Sequence, residues 1–180
     1  MKLGACLICA ASLLPISIDA SAQTPPSSSA LAKQLVEAMS SAGMDALAMR
    51  DPANSGRAIA VLAFPQSQLL VIAGSYPDAS SLDALLSNRM YRDVYAGLQQ
   101  PTVSDGKVFI QDMGCDGLDP RGEANVDIMY ENAKTQTIFD GNWKKQKISQ
   151  SAYEERARQA EARYARLLSA LIAAAQKKTL

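Results

Sequence analysis

The chain has 180 residues, 48% of them hydrophobic and 20% charged, which is the composition of one globular domain and too apolar for a disordered chain. Eighteen basic and eighteen acidic residues cancel, so no net field draws it to nucleic acid or to an anionic membrane. The absence of histidine excludes Ser-His-Asp and Cys-His catalysis, imidazole zinc sites and histidine-ligated haem.

Lys2, the apolar run from Leu3 to Ile18 and the small-residue box Ala20-Ser21-Ala22 form the three regions of a secretory signal, predicting cleavage before Gln23. Pro15 and Asp19 interrupt the run, which falls short of the ~20 unbroken apolar residues that span a bilayer. Cleavage removes Cys6 and Cys9, leaving Cys115 without an internal disulfide partner. Residues 23–29, with Pro25-Pro26 and three serines, read as a flexible lead-in.

Leu31, Leu35, Val36 and Met39 recur at helical spacing, with Gly43 where a C-terminal cap is expected. Ala46 to Met49 is a further candidate strand. Ala58 to Ala63 and Leu69 to Ala73 are short apolar runs on either side of Phe64-Pro65-Gln66-Ser67-Gln68 and predict an antiparallel hairpin. Ser80 and Asp83 are spaced as a capping box for an amphipathic helix reaching Leu98. Val108-Phe109-Ile110 follows as another strand, then a polar loop from Asp112 to Glu123. Val126, Ile128 and Tyr130 alternate with Asn125, Asp127 and Met129, predicting a strand with the first set buried. A turn at Glu131-Asn132 leads into a last strand, Thr135 to Phe139. Ser151 and Glu154 then open a long helix carrying Tyr153, Ala157, Ala160, Tyr164, Leu167, Leu168 and Leu171 on one face. At 1.5 Å per residue it extends about 40 Å, enough to project beyond a small sheet.

These elements predict an α+β fold: a mainly antiparallel sheet of five or six strands, with helices on one face and a long C-terminal helix. The alternative is a small split β-barrel with flanking helices. Residues 30–142 would form the core, and 143–180 a basic C-terminal helix packed on it. Charge supports that division. Nine basic and three acidic residues lie from Trp143 onward, against eight basic and fourteen acidic in 23–142, so the halves attract. Glu154 and Arg158 are an i,i+4 pair in the favoured orientation.

Asp112, Asp116 and Asp119 lie on a glycine-rich loop, Asp112-Met113-Gly114-Cys115-Asp116-Gly117-Leu118-Asp119-Pro120. They are a candidate calcium set, to which Glu123 or Asp127 would add oxygens. The spacing differs from the EF-hand pattern, and Asp beside Gly is also ordinary turn chemistry. Acidic neighbours disfavour a Cys115 thiolate.

The stretches Tyr91-Arg92-Asp93-Val94-Tyr95, Lys107-Val108-Phe109-Ile110-Gln111-Asp112-Met113-Gly114 and Phe139-Asp140-Gly141-Asn142-Trp143-Lys144-Lys145-Gln146-Lys147 resemble a family of small exported bacterial proteins with no assigned activity. That resemblance implies export and brings no catalytic residue. The meander from Met44 to Ala73 is similar in pattern to flavin-binding split barrels.

The function expected is that of a non-catalytic exported domain, periplasmic or secreted, acting through protein contacts of its C-terminal helix. Arg156, Arg163, Tyr164 and Leu168 would lie at a homodimer or partner surface. One alternative is a split-barrel protein binding a small molecule or cofactor; another is a small hydrolase built on Asp112, Asp116 and Asp119. No cofactor is predicted, calcium and flavin being the two left open, and neither nucleic acid nor a stable membrane anchor after signal cleavage is expected.

Overall fold

A computed structural model describes residues 26–75, 108–122, 125–131 and 135–178. The predicted export signal, the capping box at Ser80, the helix reaching Leu98, Glu123 and Asn132 lie outside the described residues. The elements are α1 (Ser28–Ser41), β1 (Ala46–Asp51), β2 (Asn54–Phe64), β3 (Gln68–Ser75), β4 (Val108–Met113), β5 (Asp127–Glu131), β6 (Thr135–Phe139) and α2 (Gln150–Lys178).

The strands form one six-stranded sheet in the order β1-β2-β3-β4-β5-β6, with every neighbouring pair antiparallel. The fold is the predicted α+β class. The sheet stays open, so the barrel alternative is corrected, and with it the basis of the flavin reading. The register aligns Leu47, Val61, Val71, Ile110, Met129 and Thr137 in one row. Their side chains lie on the face that carries α1 and α2, where all but Thr137 join the main core. The neighbouring row, Ala48-Ala60-Ile72-Phe109-Tyr130-Gln136, lies on the opposite face. There Ala58, Ala60, Leu62, Leu70, Ile72 and Phe109 form a second buried apolar cluster, to which neither helix contributes. Burial on both faces explains why β2 and β3 read as unbroken apolar runs rather than as alternating strands.

Helix α1 starts earlier than expected. Ser27 is its N-cap, its hydroxyl accepting the Ala30 N–H, and Ser28 and Ser29 belong to its first turn. The serines of the expected lead-in are therefore partly capping residues. At the other end Gly43 has φ 63°, and the Gly43 and Met44 N–H groups donate to the Ser40 and Met39 carbonyls. This double bond pattern needs a left-handed residue, which is why glycine stands there.

Two side-chain orientations differ from the sequence reading. In β5 the buried residues are Asp127 and Met129, whereas Val126 is 44% exposed and Ile128 and Tyr130 are half-buried. The phase is the reverse of that predicted, because Asp127 is drawn inward by bonds described below. In α2 the N-cap is Ser149 rather than Ser151, its hydroxyl accepting the Ala152 N–H at 3.1 Å. Glu154 instead accepts from the Gln150 side chain, and Arg158 pairs with Glu155 at i,i+3.

Helix α2 has 29 residues, about 43 Å, and it does not project. Tyr153, Ala157, Ala160, Tyr164, Leu167, Leu168, Leu171, Ile172 and Ala175 are buried along it, and all but Tyr153 join the core formed with α1 and the sheet. Tyr164 and Leu168 are thus core residues, a correction to their expected place on an interface. The basic helix does meet an acidic body, at named points. Arg166 holds both carboxylate oxygens of Asp51, and Arg163 pairs with Glu131. Asp51 is 2% exposed; burial alone would raise its pKa, but the Arg166 pair and the Ala53 N–H outweigh that and hold it below the usual range.

The opposite sheet edge is closed by a side chain. The Gln146 amide donates to the Ile138 carbonyl at 2.6 Å and accepts from the Ile138 N–H, taking the place of a seventh strand.

Because Leu168 is in the core, Leu168→Ala should lower stability by about 2–5 kcal/mol in urea denaturation, to the same extent at every protein concentration. A loss that grows on dilution would return Leu168 to an interface.

Candidate functional site

Asp112 sits near the end of β4, opposite Leu69 in register, and its side chain faces the helices. The chain then curls through Gly114 at φ 93°, Cys115 at φ 58° and Gly117 at φ 85°. These left-handed steps turn successive N–H groups back toward the carboxylate the chain has just left. One Asp112 oxygen accepts from the Asp116 N–H at 3.1 Å and the Gly117 N–H at 3.2 Å. The other accepts from Gly117 at 3.1 Å and from the Tyr164 hydroxyl, on α2, at 2.8 Å.

Asp127 performs the same work from the first position of β5. Its two oxygens accept the Met113 N–H at 2.8 Å and the Asp119 N–H at 3.0 Å. Ser28 on α1 completes the arrangement: its hydroxyl accepts the Leu118 N–H at 3.0 Å and donates to Glu161 on α2 at 2.5 Å. The Ser28 N–H donates to the same carboxylate at 2.7 Å, so Glu161 serves the positive end of α1. The loop 113–119 is therefore closed by buried side chains from β4, β5 and α1, and through Tyr164 and Glu161 it is fastened to α2.

Space is as tight as the bonding. A Cβ on Gly117 would stand 2.3 Å from the Ser29 nitrogen, and one on Gly122 would stand 2.6 Å from the Asp140 Cα. Tyr153 locks the far side of the loop, donating to the Pro120 carbonyl at 2.7 Å and accepting the Gly141 N–H at 3.1 Å.

The expected acidic set is brought together with one exchange. Oxygens of Asp112, Asp116 and Asp127 lie within 4.8 Å of one another, while Asp119 turns away to Arg121, whose backbone N–H it accepts at 2.9 Å. The two buried members spend part of their acceptor capacity on N–H and O–H donors of the protein. Asp127, named from the sequence as a residue that would add oxygens to the set, takes the place of Asp119 in it. Glu161, Asp51 and Arg166 carried no signal of their partners, since each finds its partner far along the chain.

Burial dominates the electrostatics. Asp112 and Asp127 are both 0% exposed; desolvation raises Asp112 to about 6 and Asp127 to about 7, against the lowering effect of their hydrogen bonds. Desolvation and then the Asp112 charge push the Cys115 thiol to about 11. That thiol donates to the Phe64 carbonyl at 3.7 Å, so it is a neutral packing group rather than a nucleophile. Burial, with Asp112 beside it, also raises the Tyr164 hydroxyl well above its usual value.

Two hollows among the described residues lie away from this cluster. Pro26, Ser27 and Leu31 face Arg158, Ala162, Ala165 and Ser169 across an open hollow of about 510 Å³ between α1 and α2. A second, of about 410 Å³, lies between α2 and the loop residues Leu118 and Pro120. Arg158 and Glu161 line both; Asp112, Asp116 and Asp119 line neither. Of the expected contact residues, Arg163 is engaged by Glu131 and Arg156 is half-buried. Comparison with protein-family models, curated proteins and solved structures finds no match.

Two outcomes follow. Tyr164→Phe leaves a buried carboxylate short of one donor and should cost about 1–3 kcal/mol in urea denaturation, without changing the secondary structure seen by circular dichroism. Asp112 and Asp127 have folded pKa values near 6 and 7, above the unfolded 3.8. Their stabilising contribution is complete below about pH 4 and is lost as pH rises through 6 to 7. Tm should therefore fall between pH 5 and pH 8, and Asp127→Asn should flatten that slope.

Proposed function

We propose that the protein is an exported, non-catalytic domain that acts by binding another protein along the outer side of α2. The observation carrying this reading is a separation of chemistry from access. The groups able to do acid–base or nucleophilic work, Asp112, Asp127, Tyr164 and Cys115, are buried and hydrogen-bonded within the loop and its supports. The open hollows are lined instead by aliphatic side chains together with Arg158, Glu161, Arg166 and Glu154, surroundings suited to a partner that presents an apolar side chain ringed by charge. The contact residues of this proposal are Arg158, Ala162 and Ser169, with Ala165 half-buried among them; Leu31, Tyr164 and Leu168 act beneath them as support. Export rests on the signal pattern ending at Ala22.

A photo-crosslinking residue at position 162, in cells exporting the protein, should yield one discrete adduct, and Ser169→Glu, at an exposed position lining the same hollow, should abolish it while leaving Tm within about 1 °C. Adducts that are diffuse, or that persist in Ser169→Glu, would contradict the proposed surface. Export is tested separately: the mass of the protein recovered outside the cytoplasm should correspond to a chain beginning at Gln23.

A further inference from the structure

The segment between β6 and α2 is a built turn rather than a slack connection. The Asn142 side chain accepts the Lys145 N–H at 3.1 Å, as its carbonyl also does. The Lys147 N–H donates to the Lys144 carbonyl, and Lys147 itself is left-handed at φ 57°. Gln146 clips the turn to β6 through Ile138. This fixed geometry holds Lys144, Lys145 and Lys147 outward, all exposed. The Lys144 ammonium lies 5.2 Å from the centre of the Trp143 ring. The basic excess of the C-terminal part is neutralised at Arg158, Arg163 and Arg166 by carboxylates; among the described residues no carboxylate pairs with the three lysines of the turn. Asp140 at its base is the nearest acidic group in sequence, and its carboxylate accepts the Asn142 N–H at 2.9 Å.

We propose that the turn Trp143–Lys147 is a contact site for phosphate-bearing lipid headgroups at an anionic membrane surface. Three ammonium groups held together attract a surface that carries many phosphates more than they attract a single one, because each lysine gains separately from the surface potential. Trp143, half-buried behind Lys144, adds an aromatic ring of the type that settles at headgroup level. One ring makes no platform for stacked bases, which sets lipid above nucleic acid. Among the described residues no helix is long and apolar enough to cross a membrane, so the contact is peripheral and reversible. This inference stands apart from the α2 surface and from export.

Trp143 is the only tryptophan, so its fluorescence reports from this turn alone. The full chain, at low ionic strength, is mixed with vesicles of equal parts phosphatidylglycerol and phosphatidylcholine, and both sedimentation and emission are read. The expected result is pelleting with a change in Trp143 emission, absent with phosphatidylcholine alone and reversed at 1 M salt, where the Debye length is about 3 Å. K144Q/K145Q/K147Q, verified as folded by an unchanged Tm, should lose about a hundredfold in partitioning, roughly the sum for three lysines. Failure to pellet with anionic vesicles, or pelleting without an emission change, overturns the proposal. So does pelleting that the variant retains, which would locate the binding elsewhere, the N-terminal residues included. An emission change of equal size with inorganic phosphate or a single-stranded oligonucleotide overturns it as well.

Discussion

The hydrogen bond from Tyr164 to Asp112 joins the two halves of this molecule at their most buried polar point. Its donor stands in the middle of α2, its acceptor near the end of β4, and the same carboxylate gathers the N–H groups of Asp116 and Gly117. Asp127 gathers those of Met113 and Asp119. A loop of this composition, left to water, would have no reason to hold one shape. Here its backbone donors find buried acceptors, and each buried acceptor finds donors, the condition under which buried polar groups become specifying rather than costly. Ser28 and Glu161 extend the same logic to the start of α1. Loop, first helix and last helix thus depend on one another.

An ionised carboxylate pair with no cation beside it is expensive to bury, and the elevated pKa values of Asp112 and Asp127 register that expense. The third member of the acidic group, Asp116, is only half-buried. A catalytic dyad also splits and raises its pKa values; among the described residues both carboxylates of this pair are buried and accept backbone N–H groups. Perturbed acidity here reports structure. The hollows beside α2, lined by Arg158, Glu161 and Arg166 as well as by aliphatic side chains, and the exposed lysines of the Trp143 turn lie away from that pair.

Much of the fold was legible because local rules and tertiary packing agree in it. The spacing of Leu31, Leu35 and Met39, Gly43 as cap, the hairpin across Pro65 and the stripe from Tyr153 to Leu171 all reappear in the structure. The errors have a common origin. Val126, Ile128 and Tyr130 are more apolar than Asp127, so hydrophobicity alone set β5 in the wrong phase; the Asp127 bonds that decide it join β5 to a loop that had no visible shape. Ser149 and Ser151 are equally good caps by type, and the choice rests on Ser149 reaching the Ala152 N–H. Length made α2 look too long for its sheet, yet the small residues Ala157, Ala160 and Ala175 let it lie flat throughout. Asp112, Asp116 and Asp119 were singled out for a metal, with Glu123 or Asp127 as an addition; in the structure Asp127, fifteen positions beyond Asp112, stands with Asp112 and Asp116 in place of Asp119.

The central claim is that Asp112 and Asp127 are buried acceptors closing a loop, and that this burial sets their acidity. Carbon-13 NMR titration of the aspartate carboxyl groups tests it most directly. The account predicts two coupled transitions with apparent midpoints near 6 and 7, lost in turn in Asp112→Asn and Asp127→Asn and unmoved by millimolar calcium. Midpoints in the ordinary range near 4, or transitions that calcium displaces to lower pH, would contradict it.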